Sequence, residues 1–195
     1  MRLLVTAICI GLLLFSLKAR SEVDRAEWTE EVQLANGDMV VVKRTATRDQ
    51  KPTAVTRRGA LRSWEVIFPD ERAAWTGYGT NRPAAMEIAG GTAYIAAHIR
   101  SRELCAKYNN PKGSVVFFRW SKGEWMRIPI DQYPTGGKVN LLQNPWGRAR
   151  SDDVRGFIKH QDKHQPGRAE RLIGVPLTKL IEDRARDACE LYKKI

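Results

Sequence analysis

Two histidines four residues apart, His160 and His164, with Asp153 upstream, form the sharpest metal-ligand pattern in the chain. On a helix all three would project from one side. Imidazole pairs at that spacing clamp zinc or copper, with a carboxylate as third ligand. Gly156, the Pro166–Gly167 stop and the surrounding lysines and arginines oppose a cation site, so a solvated histidine-bearing face is the favoured reading. His98, the remaining histidine, closes an apolar stretch with no nucleophile at recognisable spacing, which reads as a strand-end residue rather than a base. The sequence has no G-x-S-x-G elbow, P-loop, H-E-x-x-H or Cys-x-x-Cys. A hydrolase would therefore have to draw on His98 or the histidine pair, helped by Trp75, Tyr78 and acids such as Glu87. No cofactor is implied.

A second candidate is the stretch from Trp75 to Arg82, where Trp75, Tyr78, Asn81 and Arg82 are interleaved with Gly77 and Gly79. Aromatic and polar side chains on a turning loop can stack on sugars or grip a partner. The competing reading folds Trp75 and Tyr78 back over a sheet edge, with the glycines serving only the turn. Cys105 and Cys189 are the two cysteines outside the N-terminal apolar run, which itself contains Cys9. In an oxidising compartment an even pair suggests a disulfide; the alternative is two separate buried thiols.

The charge is lopsided, with 33 Lys and Arg against 22 Asp and Glu, a net +11. Such a balance attracts polyanions without specifying a fold. The basic doublets at Arg57–Arg58, Arg100 with Arg102, and Arg148 with Arg150 are scattered among acids, so a solvated basic surface is the default. A polyanion patch requires the fold to gather them on one face.

These residues need a scaffold, and hairpin spacing supplies it. Trp28 to Leu34 and Met39 to Lys43 flank Asn36–Gly37, a pair suited to tight hairpin turns. Ala85 to Ile88 and Ala93 to His98 flank Gly90–Gly91. Val115 to Trp120 and Glu124 to Ile130 flank Ser121 to Gly123. A strand from Arg62 to Phe68 stops at Pro69. About seven strands follow, which predicts an α+β, mainly β domain over residues 28–134: an antiparallel sheet or sandwich built from hairpins, with C-terminal helices packed on it. Residues 140–195 form a charged, mostly helical segment. Ser151 would cap a short helix carrying Val154, Phe157, Ile158 and Gln161, and a last helix would run from Leu177 to Lys193.

Residues 1–20 read as a signal peptide or N-terminal anchor: Met1–Arg2, an apolar run from Leu3 to Leu17, then Lys18 to Ser21. The expected location is exported, either periplasmic or anchored to the inner membrane and facing the periplasm. Cleavage after Ala19 is permissible, and an uncleaved anchor is the alternative. Export lowers the case for nucleic acid and raises that for an envelope component, protein partner or anionic surface.

Trp28, Glu30, Glu31, Val32, Leu34, Asn36–Gly37 and Val40 to Arg44, with the later Ser114 to Trp120 and Gly123 to Pro129, resemble a group of short exported β-rich proteins of proteobacteria. The similarity covers roughly residues 28–134 and is one of strand pattern. It implies export and a β scaffold, and carries no activity, ligand or site residue with it. The leading expectation is a non-enzymatic binding or interaction module of the envelope for an anionic surface, glycan or protein partner. An envelope hydrolase acting on glycan or peptide, and a cytoplasmic nucleic-acid binder, are the alternatives. Intact mass of a C-terminally tagged protein from a bacterial host is expected to show loss of about twenty N-terminal residues, with periplasmic release. A full-length product in the cytosol would contradict export.

Overall fold

From Trp28 onward every second side chain of the first strand turns inward, and that period sets the architecture. The computed structural model describes residues 23–51, 59–71, 73–142, 157–164, 173–183 and 187–193. The N-terminal apolar run and the basic residues Arg57, Arg58, Arg148 and Arg150 lie outside them. Strands β1 (Val23–Gln33), β2 (Met39–Asp49), β3 (Leu61–Ile67) and β4 (Ala74–Tyr78) form an antiparallel meander. Strands β5 (Arg82–Ala89), β6 (Thr92–His98), β7 (Val115–Ser121) and β8 (Glu124–Ile128) form a second one. A short β9 (Phe157–Ile158) adds to the first sheet parallel to β1, giving the order β4-β3-β2-β1-β9 beside β5-β6-β7-β8. The fold is thus α+β and mainly β, as the hairpin spacing predicted.

The two sheets pack face to face. Trp28, Val42, Trp64 and Trp75 from the first meet Met86, Ile95, Val116 and Phe118 from the second in one core. The ring of Trp75 lies 6.2 Å from that of Phe118, and Phe68 lies 5.6 Å from Trp125. The second sheet is covered on its other face too, where Ala85, Ala96, Phe117 and Ile128 pack against Tyr133, Val139, Leu177 and Leu180. Burial on both faces explains why β5 to β7 read as nearly continuous apolar runs while β1 to β4 alternate. Gly90–Gly91 and Lys122–Gly123 take positive φ at both positions of two-residue turns, as tight hairpins with right-handed strand twist require.

Three sequence expectations change. Residues Trp75 to Tyr78, read as part of a loop, belong to strand β4, which pairs along β3. Phe157 and Ile158, read as one helical face with Val154 and Gln161, are extended and pair with Thr29 and Glu30, and a 3-10 turn at His160–His164 follows. Pairing to the edge of β1 satisfies their backbone in place of helical bonds. The last helix is divided into α2 (Leu177–Glu182) and α3 (Ala188–Lys193), behind an earlier α1 (Arg102–Lys107). The single apolar stripe foreseen there serves two cores. Leu177 and Leu180 reach the outer face of the second sheet, whereas Cys189 and Tyr192 reach the inter-sheet core.

Asp187 accounts for the restart of helix α3. Its carboxylate accepts hydrogen bonds from the N–H groups of Cys189 and Glu190 at the helix start, and from Gly113 N–H and Ser114 Oγ across the chain. Burial, the largest single influence, pushes its carboxyl upward, but these hydrogen bonds together hold it below the usual aspartate value. One residue into α3, Cys189 meets Cys105 of α1, with sulfurs at bonding distance (2.10 Å) and Cα atoms 5.4 Å apart. Closing 84 residues of chain contributes on the order of 4–5 kcal/mol in the chain-entropy description, an upper figure. Among the described residues no helix is long and apolar enough to cross a membrane.

Inside the first sheet's core-facing side sit two charges, Glu30 of β1 and Arg44 of β2, joined by Lys163 from the turn after β9; all three side chains are fully buried. Arg44 pairs with one oxygen of Glu30, and Lys163 Nζ lies 3.1 Å from the other. Leu142 N–H donates to the same carboxylate at 3.2 Å, and the Arg44 guanidinium lies 5.1 Å from the centre of the Trp28 ring. Removing one member strands the others away from water. Glu30→Gln is therefore expected to lower the unfolding free energy by about 3–5 kcal/mol in urea titrations, whereas joint replacement of the three by apolar residues of similar volume recovers most of it. A loss below about 1 kcal/mol for Glu30→Gln would mean that water reaches the cations.

Candidate functional site

A strand buried on both faces has little place for a carboxylate, yet β5 carries Glu87 in its run from Ala84 to Ile88. Glu87 is 2% exposed and opens onto a cavity of about 320 Å³. Four other stretches of chain line it: the β1–β2 turn from Gln33 to Gly37, the strap from Gly136 to Asn140, His160, and Ile173 with Gly174. The turn is local chemistry. Gly37 has φ +92°, and Asn36 accepts from Asp38 N–H while its amide donates to the Asp38 carboxylate. This turn delivers Ala35 N–H to Glu87 Oε2 at 2.9 Å.

Asn140 ties the strap to both sheets. Its side-chain amide accepts from Met86 N–H and donates to Met86 C=O, both at 2.9 Å, as a neighbouring strand would at the outer edge of β5. The same amide nitrogen donates to Gln33 C=O at 3.0 Å, and Asn140 C=O accepts from Lys163 Nζ at 2.8 Å. Residues Val139 and Gly174 hold the rest of the strap, through Val139 N–H to Val175 C=O and Gly174 N–H to Val139 C=O. His160 is placed by its backbone N–H, which donates to Glu31 Oε2 at 2.9 Å. The cavity wall is thus built on hydrogen-bonded backbone from both sheets.

Burial pushes the Glu87 carboxyl above its ordinary value, and the hydrogen bond from Ala35 only partly offsets this. No lysine or arginine among the described residues lies within ion-pair distance of it; Lys138, which also lines the cavity, is exposed at the rim. Tyr133 stands behind this wall against Tyr94 and Phe117, with ring centres at 5.9 and 5.2 Å. Its hydroxyl is buried with no hydrogen-bond partner among the described residues. Burial first, and then the nearby Glu87 charge, hold that phenol well above the usual tyrosine value. The site therefore offers a carboxyl that keeps its proton to higher pH than an exposed one, in a cavity lined also by His160 and, at its rim, by the ammonium-bearing Lys138.

The other sequence candidates are dispersed. Trp75 is buried in the core, while Tyr78 on the opposite face of β4 is 71% exposed. Asn81 is buried with its Oδ1 unpartnered among the described residues, and Arg82 lies 5.8 Å from the centre of the Trp64 ring. Gly77 permits this packing, since a Cβ there would come within 2.3 Å of the Asn81 carbonyl oxygen and the Trp75 ring. None of these four residues lines the cavity at Glu87. His98 is buried at the end of β6, where its Nδ1 accepts from Arg100 Nε at 3.3 Å. Asp153 and the His164 side chain lie outside the described residues. His160 sits in a 3-10 turn rather than on the helix that would align the three. Among the described residues no group of three His, Cys, Asp or Glu is placed to hold a metal ion.

The structure thus brings together Glu87 and His160, which are 73 positions apart in the chain. Sequence reasoning missed Ala35, Lys138 and Asn140. The one available signal was a lone carboxylate in an apolar strand, because such a group requires a partner or a cavity.

Because the folded protein holds the Glu87 proton more tightly than the unfolded chain, stability falls as pH rises from the ordinary value of 4.5 through the raised one. Asp187 has the opposite sign, its contribution being lost only as pH falls through its lowered value. Urea midpoints of wild type and Glu87→Gln against pH are expected to diverge, with wild type losing stability relative to the variant just above the ordinary glutamate range. Parallel curves would show that Glu87 is hydrated. No protein-family model matches the sequence, and neither the curated proteins nor the solved structures compared with it show a significant match.

Proposed function

We propose that the protein is a non-enzymatic binding module of the cell envelope whose cleft takes a small polar ligand. The observation that carries this reading is Glu87, a buried carboxyl without a cationic partner among the described residues, facing a cavity of about 320 Å³. A pocket of that size lies in the range of small-molecule sites, and a desolvated acid inside it gives a ligand donor a strong anchor. The envelope assignment is supported by the apolar run from Leu3 to Leu17 and by the Cys105–Cys189 pairing, which suits an oxidising compartment. The net charge of +11 favours residence near anionic surfaces.

Hydrolysis of glycan or peptide is the second reading, favoured by the presence of Glu87 and His160 on one cavity wall. A single experiment separates the two. Amide shift mapping of the purified protein with soluble glycan and short-peptide pools is expected to perturb Ala35, Glu87, Lys138 and Asn140 without product appearing by mass spectrometry. Product formed by wild type and lost in Glu87→Gln would replace the binding module by the hydrolase.

A further inference from the structure

We propose that the ligand of this cleft is a small zwitterion, with its ammonium on Glu87 and its carboxylate toward Lys138; the proposal rests on the cleft reading above. One oxygen of Glu87, Oε2, is held by Ala35 N–H. Its Oε1 makes no hydrogen bond with the described residues. A buried acid with one oxygen spare is stabilised most by a ligand cation, since a desolvated charge pair is far stronger than the same pair in water. The opposite sign stands at the mouth on exposed Lys138, while half-buried His160, its backbone fixed on Glu31, lines the same cavity. Neither Lys138 nor Glu87 forms an ion pair with the other, so each charge is available to a ligand that carries both signs.

Two features of the lining exclude other classes. It contains no Trp, Tyr or Phe among the described residues, whereas sugars are held largely by stacking on aromatic faces. A dianion such as phosphate would meet the Glu87 carboxylate as a like charge. Amino acids and short peptides satisfy both ends at once, and a cavity of about 320 Å³ has room for a ligand of that size. Asn140, Val139 and Gly174 line the same cavity, held by the Asn140–Met86 and Gly174–Val139 hydrogen bonds.

The test is calorimetric titration of the full chain with L-alanine, L-alanyl-L-alanine, methylamine, acetate and cellobiose, with the cleft amides followed by NMR. The expected result is binding of alanine or dialanine well above methylamine and acetate. The tighter of the two identifies a free amino acid or a peptide as the source. Glu87→Gln is expected to weaken that binding by about 30-fold or more. Lys138→Ala, at an exposed position that leaves the fold intact, is expected to weaken it a few-fold and in a salt-dependent way. Cellobiose or acetate binding as tightly as dialanine, or unchanged dialanine affinity in a folded Glu87→Gln, overturns the zwitterion while leaving the cleft a binding site. Absence of any shift at Ala35 and Asn140 with all five probes overturns both.

Discussion

The Glu30 carboxylate, held away from water between Arg44 and Lys163, is the constraint on which the rest of the structure depends. Arg44 and Glu30 belong to adjacent strands of one sheet, so their pairing follows from a register that strand alternation already sets. Lys163 does not: it arrives from 133 positions later in the chain. A carboxylate and a guanidinium inside an apolar layer incur a large desolvation cost, offset only when the remaining lone pairs and donors find partners. The partners here are main-chain groups of the C-terminal segment. Leu142 N–H meets the carboxylate, and Leu142 C=O meets Arg44. The core therefore recruits the tail, and the tail has a defined place because the core is polar at one point.

The cleft is a consequence of that recruitment. Lys163 donates to Asn140 C=O while Asn140 closes the edge of β5 with its amide, so one buried cation holds both the strap and the sheet edge. The same turn that brings Lys163 inward carries His160 to the cavity, anchored on Glu31, the sequence neighbour of Glu30. Two adjacent glutamates on opposite faces of β1 thus fix the two ends of one short turn. The disulfide works at the far end of the tail in the same manner. Asp187 and Cys189 secure helix α3 to Gly113, Ser114 and Cys105, which frees α2 to cover the second sheet.

Compared with Glu30, Glu87 is satisfied differently. Both are buried carboxylates on core strands, but Glu30 has two cations and Glu87 has one backbone N–H. This difference separates a structural charge from a functional candidate. A paired group holds the fold together, while an acid facing a cavity without a cation keeps interaction energy available to a ligand.

Local sequence determined much of the scaffold. Alternation at Trp28, Val32, Val42 and Trp64, glycine turns at Gly90–Gly91 and Lys122–Gly123, and doubly apolar β6 and β7 follow from backbone geometry and side-chain period. Those signals act over a few residues and were legible as a mainly β chain of hairpins. The Cys105–Cys189 pair was legible only as one of two readings. The identity of the short elements was not. Phe157 and Ile158 have helical spacing in isolation but become a strand because the edge of β1 offers backbone partners, and the stripe from Leu177 to Tyr192 divides because it serves two cores. Glu87, Lys138, Asn140 and His160 meet only when strap, hairpin and tail converge. Only the tertiary structure decided the cleft, because long-range pairing of buried charges, unlike turn chemistry or strand period, leaves no local pattern in the chain.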